Sequence, residues 1–223
     1  MARGPSSWAS RHFTRRPSLG EGGHGSTILD DRCSFRESAM RCLLVFSLVV
    51  IIMPSVASAQ DMTSLTRPGV VALMRHALAP GTGDPSGFDL QDCATQRNLN
   101  EQGRRQARRI GRAMRDAGVT FDAIWSSQWC RARDTARLLQ LGDIVEMPPI
   151  NSFFAGRGDR AAQTAAALEM ILDKPAEARL LLVTHQVNIR ALAGSFANAG
   201  EIIVTLRNVS GGLTVIDRIA IEP

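Results

Sequence analysis

The groups able to do covalent chemistry are scarce beyond residue 60: two histidines, His76 and His185, and two cysteines, Cys93 and Cys130. Both histidines stand directly behind a short apolar run. Residues 69–74 (GVVALM) lead into Arg75-His76, and residues 179–183 (RLLLV) lead into Thr184-His185. Arg131 comes just after a third such run, residues 121–125. A neutral imidazole can attack an electrophilic centre or carry a proton. A guanidinium offers a planar fork of donors that matches phosphoryl oxygens. Two histidines and two arginines brought to one place would form a compact cationic pocket for a phosphoryl group, with a nucleophile inside it. The plainer alternatives are hydrogen-bonded core histidines and a surface helix arginine.

Those residues need a scaffold that delivers strand ends to a common edge, and the hydrophobic pattern supplies one. The runs at 69–74 and 179–183 are short, apolar and partly β-branched, as buried parallel strands are. Residues 121–125 form another strand candidate, and residues 144–150 a weaker one because Pro148-Pro149 interrupts it. Residues 202–206 and 213–219 look like two closing strands around Ser210-Gly211-Gly212. Helical periodicity appears over 100–117, where Ala107, Ile110, Met114 and Ala117 share a face and Gly118 follows as a C′ residue. Further helices are expected over 130–141, 160–172 and 187–196, and a long Gly/Pro/Asp-rich loop over 79–98. Alternating strands and helices predict an α/β class chain: one three-layer domain with a mainly parallel sheet flanked by helices. In such a sheet ligands bind at the C-terminal strand ends, where both histidines fall.

Four segments resemble the histidine phosphatase superfamily in its phosphoglycerate mutase-like branch 1. Leu73-Met74-Arg75-His76-Ala77 resembles the Arg-His-Gly signature, with Ala77 in place of Gly. Residues 99–107 (LNEQGRRQA) resemble the family's Leu-Thr-x-x-Gly-x-x-Gln-Ala helix start. Residues 125–136 (WSSQWCRARDTA) resemble its Ser-Ser-x-x-x-Arg-Ala-x-x-Thr-Ala block, and Leu182-Val183-Thr184-His185 its last strand. The blocks run in the family's order, and the compact chain is similar to bacterial phosphohistidine phosphatases. The resemblance implies His76 as nucleophile, with Arg75, Arg131 and His185 binding the phosphoryl oxygens, and no metal or cofactor. Asn151, Ser152, Gln186 and Asn188 are candidate substrate contacts.

The chain also departs from the family. Where a Leu-x-Glu proton donor is usual, residues 150–154 read INSFF, and where the other branch places an Asp after the second histidine, Gln186 stands. Asp84, in the long loop, and Asp159, after the third strand, are the carboxylates that could replace the donor. Otherwise the substrate carries a good leaving group, as a phosphoramidate does.

Composition narrows the setting. The whole chain has 26 Lys and Arg against 21 Asp and Glu, but residues 60–223 hold only 19 against 17, a net +2. That near-balance does not suggest a nucleic-acid partner. Residues 40–59 have the layout of a signal peptide: Arg41, an apolar run over 42–53, Pro54, and the small residues Ala57-Ser58-Ala59 before a cut. The run is short for a bilayer span, so no stable membrane insertion is expected after cleavage. Residues 1–39, rich in Ser, Gly and Arg, read as a mis-assigned start upstream of Met40 or a disordered extension. Export to the periplasm or beyond would permit a Cys93–Cys130 disulfide, with two free thiols as the alternative. The expectation is an exported phosphatase acting on a small phosphomonoester or phosphoramidate, envelope sugar phosphates being one compatible class. The missing donor argues against a phosphoglycerate mutase. A non-catalytic phosphate- or phosphoglycan-binding protein is the competing class, although binding alone needs no nucleophile.

Overall fold

The structure, a computed structural model, describes residues 61–223; the expected signal peptide at 40–59 and the segment before it lie outside the described residues. In chain order the main elements are β1 (Val70–Arg75), α1 (Glu101–Asp116), β2 (Ala123–Ser126), α2 (Cys130–Leu139), β3 (Ile144–Glu146), α3 (Arg160–Leu172), β4 (Leu180–Thr184), α4 (Gln186–Ala193), β5 (Ile202–Arg207) and β6 (Leu213–Ile219). They form one six-stranded sheet in the order β3-β2-β4-β1-β5-β6. The β2–β3, β2–β4 and β1–β4 pairings are parallel, whereas β1–β5 and β5–β6 are antiparallel.

Strand alternation explains the three layers. Val70, Ala72 and Met74 of β1 face one cluster with Ile110 and Met114 of α1 and Ala132, Ala136 and Leu139 of α2. Val71 and Leu73 face the other, with Ala167 and Ile171 of α3 and Ile189 and Leu192 of α4. Successive β1 side chains thus enter opposite cores, which is why this strand is a continuous apolar run. Leu180, Leu181 and Leu182 of β4 are likewise fully buried, each worth about 1.5–3 kcal/mol relative to exposure.

Several expected elements shift: the helices expected over 130–141 and 187–196 run over Cys130–Leu139 and Gln186–Ala193. The third strand stops at Glu146, and Pro148–Ile150 form a 3-10 turn instead of continuing it, because proline cannot donate to the ladder. The second strand begins at Ala123, not Phe121. The 160–172 helix and the 213–219 strand fall where the periodicity places them.

Local chemistry fixes the elements beside the site. The Asn100 side chain caps α1 by accepting from the Gly103 N–H at 2.8 Å. Gly103 is itself required by close packing, since a Cβ there would lie 2.0 Å from the Leu78 carbonyl oxygen. Gln106, fully buried, accepts from Leu78 N at 3.0 Å and donates to the Ala199 and Ile221 carbonyls, both at 2.8 Å. The helix start at 99–107 therefore clamps the backbone just beyond His76. Cys93 and Cys130 form a disulfide with a Cα–Cα separation of 5.7 Å, tying the 79–98 loop to the first turn of α2.

Candidate active site

Register brings the histidines together. In the parallel β1–β4 pair Arg75 lies opposite Thr184, so the next residues, His76 and His185, leave the sheet side by side. The His76 N–H donates to the Thr184 carbonyl at 3.0 Å, and the two rings stand 5.4 Å apart, edge to face. On the other side of β4 the Ser127 N–H donates to the Val183 carbonyl at 2.9 Å, so three neighbouring strand ends deliver His76, His185 and Ser127 to one edge. Arg131 reaches the same point from the first turn of α2.

His76 is 2% exposed and its Nδ1 lies 2.8 Å from the Ala77 carbonyl oxygen. A carbonyl only accepts, so Nδ1 carries the proton and Nε2 keeps its lone pair. Arg131 Nε lies 3.2 Å from that Nε2. Burial, reinforced by the charge of Arg131, holds the His76 pKa well below the ordinary histidine value. The Ala77 backbone is fixed in turn: its N–H donates to Thr135 Oγ1 at 3.0 Å, and that hydroxyl donates to the Arg131 carbonyl at 2.7 Å.

His185 is also buried, and Nε2 lies 2.8 Å from Ser127 Oγ. Burial first, then the charges of Arg131 and His76, pushes its pKa well below the ordinary value. Among the described residues its Nδ1 has no protein partner, nor does the buried Nε of Arg75, whose Nη1 donates to the Ala197 carbonyl at 3.0 Å. The Arg75 Nε–H, a buried donor beside a cationic cavity, is a group that a bound anion would satisfy.

The cavity at this edge has a volume of about 230 Å³. Arg75, His76, Arg131 and His185 line it, together with Arg97, Ser152 and Gln186. Gly81, Thr82 and Gly83 come from the long loop, and Phe154, Val187 and Phe196 add apolar surface. Among the described residues no carboxylate lines it. Among the expected substrate contacts, Ser152 and Gln186 are on its wall, but Asn151 and Asn188 are not. The Asn151 amide is occupied instead, accepting from Gln128 N at 2.8 Å and from Ser127 Oγ at 3.1 Å, and donating to Gln128 Oε1 at 2.8 Å. Asn188 donates to the Asn151 carbonyl at 2.9 Å. Both act on the support beneath Ser127 rather than on the cavity.

The two candidate proton donors are also placed differently from expectation. Asp159 is exposed and caps α3, accepting from the Ala162 N–H at 3.0 Å, so its carboxylate serves the helix end. Asp84 comes close but is ionised. Burial raises its pKa, yet the hydrogen bond and charge of Arg131 and the hydrogen bond of Trp129 outweigh that and hold it below the ordinary carboxylate value. Arg131 Nη1 and Nη2 donate to its two oxygens at 2.6 and 3.2 Å, and Trp129 Nε1 donates at 3.1 Å.

Periodicity could not flag Arg97, which sits just before the capping Asn100. It donates through Nε to the Gly83 carbonyl at 2.7 Å and through Nη1 to the Ala79 carbonyl, folding the loop over the cavity. Burial and the charge of Arg131 bring its pKa down to about 10. Ser127 was legible within the 125–136 block but not its task of holding His185. Phe154 and Phe196 carried no sequence signal.

Comparison with known proteins agrees with this geometry. Residues 71–152 match the family described as the histidine phosphatase superfamily (branch 1). No curated protein sequence matches the chain. Among solved structures, the protein histidine phosphatase SixA complexed with tungstate is 17% identical, covers 68% of this chain and 96% of its own, and superposes with a TM-score of 0.52. An Escherichia coli K-12 protein provisionally named an alpha-ribazole-5′-P phosphatase is 18% identical, with coverage of 68% and 96% and a TM-score of 0.52. These likenesses concern the fold. The segment that matches the family runs from β1 through the Arg131 helix to Ser152, and so contains Arg75, His76 and Arg131.

Proposed function

We propose that this chain hydrolyses a small phosphomonoester or phosphoramidate through a phosphohistidine on His76, without a metal ion, after export from the cytoplasm. The observation that carries this reading is the tautomer of His76: its Nδ1 proton is held by the Ala77 carbonyl, leaving the Nε2 lone pair beside Arg131 in a buried cationic cavity. Nε2 attacks phosphorus while the bond to the leaving group breaks. Arg75, Arg131 and His185 hold the phosphoryl oxygens as charge shifts onto them, a type of contact worth about 10²–10³ in rate for a single donor. The leaving group takes its proton from water, since no carboxylate among the described residues lines the cavity. Water then attacks phosphorus, the P–N bond breaks, its electron pair returns to Nε2, and inorganic phosphate departs. Export rests on the layout of residues 40–59.

The test uses the full chain expressed with its leader, assayed in EDTA with 4-nitrophenyl phosphate and with phosphohistidine, beside His76→Ala. Turnover that survives EDTA, disappears in the variant and passes through an acid-labile phosphoprotein is expected, as is a mature N-terminus at Gln60 in the extracytoplasmic fraction. Equal inertness of both proteins, with phosphate still bound, would replace the enzyme by the binding-protein reading.

A further inference from the structure

Beside its arginines and histidines and the polar Thr82, Ser152 and Gln186, the cavity has an apolar part to its wall. Phe154 and Phe196 both line it, yet they remain 45% and 55% exposed, as does part of Val187. Phe154 lies in the connection between β3 and α3, and Phe196 in the connection between α4 and β5. These are two of the five large hydrophobic side chains left exposed among the described residues, and they come from chain segments about forty positions apart. Side chains with no local relation have been brought to one cavity and left open to solvent there. Scattered exposed apolar residues are ordinary, but a pair on the wall of a pocket with convergent polar groups marks a ligand surface.

Size and chemistry narrow the ligand. About 230 Å³ is below the usual range for drug-sized ligands, so the cavity fits a phosphoryl group and little more than one ring. Among the described residues no carboxylate stands ready to protonate a departing alkoxide, so a leaving group that is already a weak base is favoured. Resting on the hydrolase reading above, we infer that the cavity selects phosphoryl compounds whose leaving group is a single flat, uncharged ring bonded through oxygen or nitrogen, with Phe154 and Phe196 as the specificity-determining contacts. The ring's oxygen or nitrogen departs with the P–O or P–N bonding pair as the new P–N bond to His76 forms, and it takes a proton from water. Ring delocalisation stabilises that pair and so stands in for the absent acid.

Two measurements test this. In the wild-type full chain, phenylphosphonate is expected to inhibit at least tenfold more tightly than methylphosphonate, a readout independent of turnover. Substituting Phe154→Ala and Phe196→Ala should lower the kcat/KM ratio of 4-nitrophenyl phosphate to phosphoramidate at least tenfold, mostly through KM, while Phe196→Tyr keeps the ratio. Equal inhibition by the two phosphonates, or an unchanged ratio in the alanine variants, overturns the ring preference and leaves the hydrolase intact. Turnover that persists in His76→Ala overturns the hydrolase reading, and the inference with it.

Discussion

The carboxylate of Asp84 grips one edge of the Arg131 guanidinium, at 2.6 and 3.2 Å, while Nε on the adjoining edge lies 3.2 Å from His76 Nε2. The two side chains are 4% and 3% exposed, so the pair is shielded from solvent. An ionised carboxylate held this way has no proton to give. Its task is to set the plane and rotation of Arg131, which Trp129 supports by donating to the same carboxylate and packing edge-on against His185 with ring centroids 5.5 Å apart.

Positioning and proton donation predict different outcomes for Asp84→Asn. Through Arg131, the substitution should lower kcat/KM about tenfold and by the same factor for aryl and alkyl phosphates. A general acid would instead slow the alkyl phosphate far more, by roughly 10²–10⁴. Steady-state kinetics on phenyl and ethyl phosphate separate the two, and a leaving-group-dependent loss would restore Asp84 as the donor.

Ser127 is the corresponding support for His185. Ser127→Ala leaves His185 Nε2 without its partner at 2.8 Å, a buried vacancy that costs about 1–3 kcal/mol. We expect kcat to fall about tenfold and the pH profile to change shape, with Ser127→Thr restoring both. A normal profile in the alanine variant would show that the hydroxyl serves packing alone.

Acid should destabilise the fold in a defined window. His76 and His185 both have folded pKa values well below the ordinary 6.5, through burial first and the Arg131 charge second. Above about pH 6.5 they are neutral in both the folded and unfolded chain, and their contribution is fully present. As pH falls below that value the unfolded chain binds protons that the folded chain refuses, so stability is lost. The thermal midpoint should therefore drop between pH 7.5 and 5.5, and drop less in His185→Gln. A wild-type midpoint flat across that range would contradict the buried-neutral assignment. The same depression predicts that kcat/KM does not fall off around pH 6.5 on the acid side.

The disulfide closes a separation of 37 residues, enough to restrict the unfolded chain by about 3–4 kcal/mol. Reduction, or Cys93→Ser, should lower the thermal midpoint by roughly 5–15 °C. Because the loop so tethered carries Asp84 and Arg97, the KM for a phosphoryl substrate should also rise; an unchanged KM would show that Arg131 and Arg97 alone hold the loop.

The placement of the nucleophile is written in the sequence because it depends on local pattern. Apolar runs ending at His76 and His185 specify strands whose last residues emerge at one edge, and a period of two sends alternate β1 side chains into opposite cores. The cap at Asn100, the C′ Gly118 and the Gly103 contact are equally local signals. The cap at Asp159 carries a local signal too, though the sequence reading makes Asp159 a candidate proton donor: an Asp directly before a helical run is first a cap. Only the tertiary structure decided what depends on contact between distant segments. Asp84 meets Arg131 across 47 positions and Ser127 meets His185 across 58. Phe154 and Phe196 share a cavity from different connections. Periodicity records which face of an element is apolar, but it does not record where a long loop lands, nor which partner an aspartate finds once the sheet edge has assembled.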